Sequence, residues 1–402
     1  MSRSIDRSKV LIAGVCGLTL MLGVARFSYT PMLPLMLAQA GLSESQGAWL
    51  ASINYLGYLS GVLIAAAISD MVLKDRLYRL GILVAILTTV AMALSDDWRI
   101  WSLLRFFAGL SSAAGLMLGS GLVLNWLLRH QFRSELGIHF GGIGLGIFSC
   151  AALVQVLTPE FDWRAQWLWL SGFGLLLALP AWRWLPRPRN SGFTVGGQAL
   201  QDNPPSPLFV RIFMAAYFCA GVGYVVSATF ISAIVAQRSG FSGDGALVFM
   251  LLGLAAIPAC IGWDRVARRT GSLNALIIAF VLHIFGIGLP VLGESLQLAI
   301  IGAVLFGATF VGIVSLVLTM AGHYYPSRPA RMMGRMTISY SVAQMLAPAL
   351  IALISSTGSG YLSGLYLAAG AALLGTLLMV WLKLLEPTHG APGQILQPAV
   401  RP

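Results

Sequence analysis

Residues 186–208, PRPRNSGFTVGGQALQDNPPSPL, are the longest polar interruption in a chain otherwise built of apolar runs. Proline, glycine, serine and asparagine dominate this stretch, which is the composition of a linker. Six apolar runs precede it, at 10–37, 46–68, 77–94, 99–127, 138–157 and 166–185. Six follow it, at 209–235, 245–262, 272–292, 297–321, 336–356 and 361–382. Each is long enough, at about 18–28 residues, to cross a bilayer as a helix. Lipid offers no partner to free backbone groups, so the helix is the spanning form. The spacing predicts an all-α integral membrane protein of twelve transmembrane helices in two six-helix pseudo-repeat bundles. Residues 1–185 are the first bundle, 186–208 a cytoplasmic linker, 209–388 the second bundle and 389–402 a cytoplasmic tail.

The composition agrees. The chain has 402 residues, of which 57% are hydrophobic and 10% charged, with a mean hydropathy of +0.82. A soluble domain carries about 25% charged residues. Cys16, Cys150, Cys219 and Cys260 all fall in apolar runs and make no disulfide framework. The net charge of +11 hints at nucleic acid until the charges are placed. Of the 25 Lys and Arg residues, twenty fall in segments on one side of the spans. Arg99, Arg164 and Arg238 fall on the other side, and Arg26 and Arg105 lie within spans. The positive-inside rule then puts both termini in the cytoplasm, and no nucleic-acid partner is called for. A signal peptide ending at Ala38-Gln39-Ala40 is the rival reading of the start, but its apolar run is too long and contains Arg26.

The two halves also align weakly. An offset of 198 residues sets GVARFSY (Gly23–Tyr29) on GVGYVVS (Gly221–Ser227) and RFFAG (Arg105–Gly109) on AVLFG (Ala303–Gly307). An offset of 194 sets Asp70 on Asp264. Parallel six-helix repeats are the plan of a known transporter class.

At this point the chain resembles the major facilitator superfamily over about residues 8–386. IGWDRVARR (Ile261–Arg269) is similar to the superfamily's G-x-x-x-D-R-x-x-R-R loop motif, and ISDMVLKDRLYR (Ile68–Arg79) is a stretched first-half copy without its glycine. RFFAG resembles the R-x-x-x-G motif of the fourth helix. GIHFGGIGLGIFS (Gly137–Ser149) resembles the antiporter glycine motif but lacks the Gly-Pro pair. GVARFSYTPMLPLM (Gly23–Met36) most resembles the YbfB/YjiJ-type branch. The resemblance implies a secondary transporter of the bacterial inner membrane, working by alternating access on a small-molecule substrate. It implies spans 1, 4, 7 and 10 around a central cavity and spans 3, 6, 9 and 12 against lipid. It also tilts the direction to efflux.

Arg26 is the residue that needs explaining. It lies about 24 Å from the inner end of its span at 1.5 Å per residue, too deep to snorkel. An Arg at bilayer depth costs about 2.5–3.5 kcal/mol on insertion scales. All 14 acidic residues fall in loops, termini or helix ends, so no span offers a carboxylate partner. Two cations without a fixed anion attract an anionic solute. The alternative is a structural Arg26, bonded to backbone carbonyls or to Asn54 and Tyr55. Arg105 lies nearer the outer interface, where it can reach headgroups, and the motif it resembles is associated with coupling or packing. Pro31 and Pro34 free the carbonyls of Phe27 and Thr30 and read as a bend.

Polar stripes add to the site. Thr337, Tyr340, Ser341 and Gln344 share one face of the eleventh span, Asn54 and Tyr58 one face of the second, and Tyr217 and Tyr224 lie two turns apart. The candidate substrate-binding residues are Arg26, Tyr29, Asn54, Tyr58, Arg105, Tyr224, Tyr340 and Gln344. The candidate gating residues are Asp70, Arg76, Asp264, Arg265 and Arg268. His283 reads as a packed imidazole, and no histidine has metal-ligand spacing; no catalytic set, metal or cofactor is expected. The expected partners are the solute, membrane lipid and protons as a candidate coupling ion, with the chain a monomer. A drug/proton antiporter is the alternative, disfavoured because such pumps place an acid where Arg26 stands. A non-transporting membrane sensor is the alternative of another class.

Overall fold

The structure, a computed structural model, describes residues 2–68, 70–130, 136–188, 204–236, 244–293, 295–324, 329–355 and 362–385. The linker residues 189–203 and the tail from 386 onward lie outside the described residues. Among the described residues the regular structure is helical and forms twelve rods.

The first, α1, joins three pieces, Ser2–Leu18, Thr19–Phe27 and Tyr29–Gln39. Next come α2 (Glu44–Ala67) and α3 (Met71–Met92). α4 is again joined from pieces, Trp98–Ala113, Ala114–Gly119 and Ser120–Arg129. α5 (Leu136–Leu157) and α6 (Trp163–Arg183) complete the first half. The second half holds α7 (Pro207–Ala236), α8 (Gly245–Ala256 and Ala259–Thr270), α9 (Ser272–Leu292), α10 (Leu296–Tyr324), α11 (Pro329–Ser355) and α12 (Leu362–Leu385).

Ten rods are long and apolar enough to cross a membrane singly, and α8, bent by 45° at Pro258, makes eleven. α3 is the twelfth; its first turns carry Lys74, Asp75, Arg76 and Arg79. The IGWDRVARR motif, expected in a loop, is helical in the second piece of α8. Caps explain several starts. Ser43 and Gln46 form a reciprocal capping box on α2, and Asp70, Asp97 and Asp162 each accept a backbone N–H at the start of α3, α4 and α6.

α1 and α7 form the centre: 83% and 94% of their spanning windows are buried, against 33% in α6 and 39% in α12. α3, α6, α9 and α12 turn leucines such as Leu87, Leu176, Leu292 and Leu377 outward. This matches the inner and outer sets that the resemblance implied. The halves meet along two seams, α2 against α11 and α5 against α8. At the second seam a Cβ on Gly144 would lie 2.5 Å from the Ile257 nitrogen, and one on Gly253 would lie 2.4 Å from the Phe148 nitrogen. Only glycine lets the backbones come this close.

Hydrogen bonds between the halves gather at the end that carries the α1–α2 turn. Thr30 donates to the Ala228 carbonyl at 2.7 Å, Ser45 to Ala352 at 2.9 Å and Ser52 to Met345 at 2.8 Å. The Tyr55 hydroxyl lies 3.2 Å from that of Thr229.

Candidate functional site

The site begins with the middle piece of α1. Over Thr19–Phe27 the turns widen to i→i+5 spacing, with Ser28 N–H donating to the Gly23 carbonyl at 2.8 Å. Wide turns of this kind gather at functional positions. The two prolines were expected to free the carbonyls of Phe27 and Thr30. The widened turns lie N-terminal to both prolines, and beyond them Met32 donates to Ser28 at 3.1 Å. The Arg105 guanidinium reaches across from α4 to the carbonyls of Ala25 (3.0 Å) and Arg26 (3.4 and 3.5 Å). α4 widens in the same way over Ala114–Gly119, and Ser112 donates to the Met21 carbonyl at 2.8 Å. Sequence periodicity carries no sign of either widened segment.

Arg26, displayed by that segment, is 5% exposed. Its guanidinium carbon sits 4.4 Å from the ring centres of both Tyr55 and Tyr58 on α2. Each such contact is worth about 0.5–2 kcal/mol, more when desolvated. Its Nε has no hydrogen-bond partner, and no carboxylate among the described residues pairs with it. Arg26 also interacts electrostatically with Tyr224 on α7, across the interface between the halves.

Arg105 is different. It is 3% exposed and turned inward, so it does not reach the outer headgroups that the sequence reading allowed it. Its charge faces α1 carbonyls and the Tyr29 ring, 4.4 Å away. Tyr29 in turn donates to the Gly47 carbonyl at 2.9 Å, so it ties α1 to α2. Asn54 is fully buried, donates to the Arg105 carbonyl at 2.7 Å, and leaves its own Oδ1 unpartnered. Contact this close between α2 and α4 depends on glycine: a Cβ on Gly57 would lie 2.0 Å from the Phe106 oxygen.

The opposite wall is a stack of rings. Tyr217 lies 4.5 Å from Tyr340, Tyr340 5.6 Å from Tyr224, and Tyr224 5.2 Å from Phe310. Phe310, Phe306 and His283 continue the stack at 5.4 and 4.8 Å. His283 also hydrogen-bonds Thr309 at 2.8 Å, a packed imidazole as the sequence implied. Gln344, one turn beyond Tyr340, is buried with Oε1 unpartnered, as are the hydroxyls of Ser341 and Ser227. The structure thus brings Arg26, Tyr58, Tyr224 and Tyr340 together and places Arg105, Tyr29 and Asn54 behind them. Sequence reasoning named Tyr55 only as a structural neighbour of Arg26, and it did not name Phe306 or Phe310.

The family described as "Uncharacterised MFS-type transporter YbfB" matches residues 18–380. The chain belongs to that family. It is therefore a transporter with several membrane-spanning helices. A "Probable sugar efflux transporter" of Helicobacter pylori (strain ATCC 700392 / 26695) is 26% identical over 290 residues, 66% of this chain and 71% of that protein. The "Benzoate transport protein" of Acinetobacter baylyi is 26% identical over 164 residues, 39% of this chain and 35% of that protein. The crystal structure of nucleoside transporter NupG shares the fold, with a TM-score of 0.69 at 13% identity, covering 93% of this chain and 99% of that one.

The candidate gating residues of the transporter lie away from Arg26. Asp70 caps α3 through the Val72 N–H at 2.8 Å. Asp264 pairs with Arg268 one turn along its own helix, and Arg76 and Arg265 are exposed. A residue pair within the Ile68–Arg79 motif copy that the sequence did not single out proves more deeply built. Asp75 and Arg79 form a buried ion pair at 3.0 Å, and Arg79 also donates to the carbonyls of Trp182 (2.6 Å) and Leu185 (3.1 Å). This clasp joins the start of α3 to the end of α6. Among the described residues there is no metal-binding group of His, Cys, Asp or Glu.

Proposed function

We propose that the transporter moves a small organic anion across the bacterial inner membrane by alternating access, in the efflux direction. One observation carries this reading: Arg26 is buried against two aromatic rings and has no carboxylate partner among the described residues. A guanidinium donates in a planar fork that fits a carboxylate. Exclusion of water at this depth strengthens the attraction.

In this reading the termini and the 186–208 linker face the cytoplasm, and the chain works as a monomer. Residues 1–185 and 209–388 rock against each other. The Thr30, Ser45 and Ser52 bonds then close the outer end. Asp70, Arg76, Asp264, Arg265 and Arg268 lie at the inner end and act there as gating residues. A proton is the candidate coupling ion, and no intramembrane carboxylate in the sequence is available to carry it. A second reading, a neutral sugar, draws on the Helicobacter relative's name and on the unpartnered acceptors of Asn54 and Gln344.

The test is thermal stability of the purified protein against organic anions, cations and neutral sugars, with Arg26→Gln alongside. A ligand at 100 times its Kd adds about 2.7 kcal/mol to the folded state. Stabilisation by anions that disappears in the variant is the expected result. Stabilisation by sugars alone, equal in both proteins, moves the second reading to first place.

A further inference from the structure

We propose that the anion is an aromatic monocarboxylate, with its carboxylate on Arg26 and its ring against the tyrosines of the second half. This rests on the reading of Arg26 as the anion's partner.

The single charge follows from how the two intramembrane arginines are used. Arg105 spends its fork on the Ala25 and Arg26 carbonyls and faces the Tyr29 ring. Of Arg105 only Nε is left over, whereas Arg26 makes no hydrogen bond to a backbone carbonyl among the described residues and faces tyrosine rings instead. A dicarboxylate or phosphate would bury a second charge without a partner, which is costly.

The aromatic body follows from what surrounds that guanidinium. Tyr55 and Tyr58 flank it, and Tyr224 of the other half lies within electrostatic reach of it. Behind Tyr224 the rings of Tyr340 and Phe310 lie at 5.6 and 5.2 Å. The far end of this stack is pinned, because His283 stacks on Phe306 and bonds Thr309. Tyr340 and Tyr224 lie within the stack, 7% and 4% exposed, between Tyr217 at 2% and Phe306 at 1%. A flat ring with a positive edge continues such a stack, because aromatic pairs favour offset or edge-on contact at 4.5–7 Å. A saturated ring of equal size gains burial only.

The experiment compares benzoate with cyclohexanecarboxylate, both ionised at neutral pH and differing in ring unsaturation. Binding to the full-length purified protein is read by calorimetry. Benzoate is expected to bind about two- to tenfold tighter, the increment that ring pairs add beyond area. Tyr340→Leu is expected to bring that ratio to one, and Tyr340→Phe to keep it, which separates ring contact from misfolding. Equal affinities in the wild type overturn the aromatic assignment and leave the anion reading standing. Binding of neutral sugars with neither acid bound overturns both. Tighter binding of phthalate, which carries two carboxylates, overturns the single-charge assignment.

Discussion

The Arg105 guanidinium donates to the carbonyl oxygen of Ala25 at 3.0 Å, inside the one stretch of α1 whose turns are too wide for ordinary helical bonding. Arg105 is therefore a positioning residue for Arg26. It supplies donors to the backbone on which Arg26 is displayed, while Asn54 holds the Arg105 carbonyl from α2 at 2.7 Å. Three helices are tied at one point, and the Arg26 guanidinium stands at its edge against Tyr55 and Tyr58.

Arg105→Met should therefore destabilise the unliganded protein. It leaves buried carbonyls without donors, at about 1–3 kcal/mol for each unsatisfied group. Arg105→Lys keeps the charge but loses the fork, and should recover only part of the loss. Thermal unfolding in detergent measures this. A variant as stable as the wild type would mean that the wide turns hold themselves.

Arg26→Met should behave in the opposite way. Burying the cation costs about 2.5–3.5 kcal/mol. Two ring contacts return about 0.5–2 kcal/mol each, so the terms nearly cancel. Unliganded stability should change by less than about 1 kcal/mol, while anion transport into proteoliposomes is lost. A large fall in stability would place Arg26 among the structural residues.

The legibility of the sequence divides along the same line. Hydropathy found the twelve rods because the lipid requirement acts on every residue of a span. The centrality of α1 and α7 followed from the resemblance, since pattern alone does not say which apolar helix is inside. Arg26 was legible because a charge at mid-span is costly wherever it points. Arg105 read as a residue near the outer interface, and its inward turn onto α1 was not legible. The widened turns were invisible because their donors come from another helix, 80 residues along the chain from Ala25. The Asp75–Arg79 pair was hidden by its place at a helix start, where charges are normally solvated.

That pair gives the third prediction. Asp75→Asn leaves Arg79 buried with carbonyl partners alone, and removing one partner of a buried pair costs about 3–5 kcal/mol. Replacing both, as Asp75→Leu with Arg79→Met, should recover most of that stability. The double-mutant cycle on melting temperature checks it. Additive losses would show that the two side chains act separately.

The last prediction concerns the end where the halves are bonded. Thr30, Ser45 and Ser52 each donate to a carbonyl of the opposite half. A neutral hydrogen bond contributes about 1 kcal/mol net, roughly a fivefold shift in a two-state population. Thr30→Val keeps the shape of the side chain and removes the donor, and Ser52→Ala does the same on α2. Together they should move the equilibrium away from the closed outer end by about thirtyfold if the two bonds add. Spin labels at Trp49 on α2 and Leu353 on α11, both exposed, report that gap. The double variant should lengthen the mean distance and broaden its distribution, and an added anionic substrate should change the populations again. If the distances match those of the parent labelled protein, the hydroxyls only pack the seam and the closed end is held by the apolar contacts of α2 with α11.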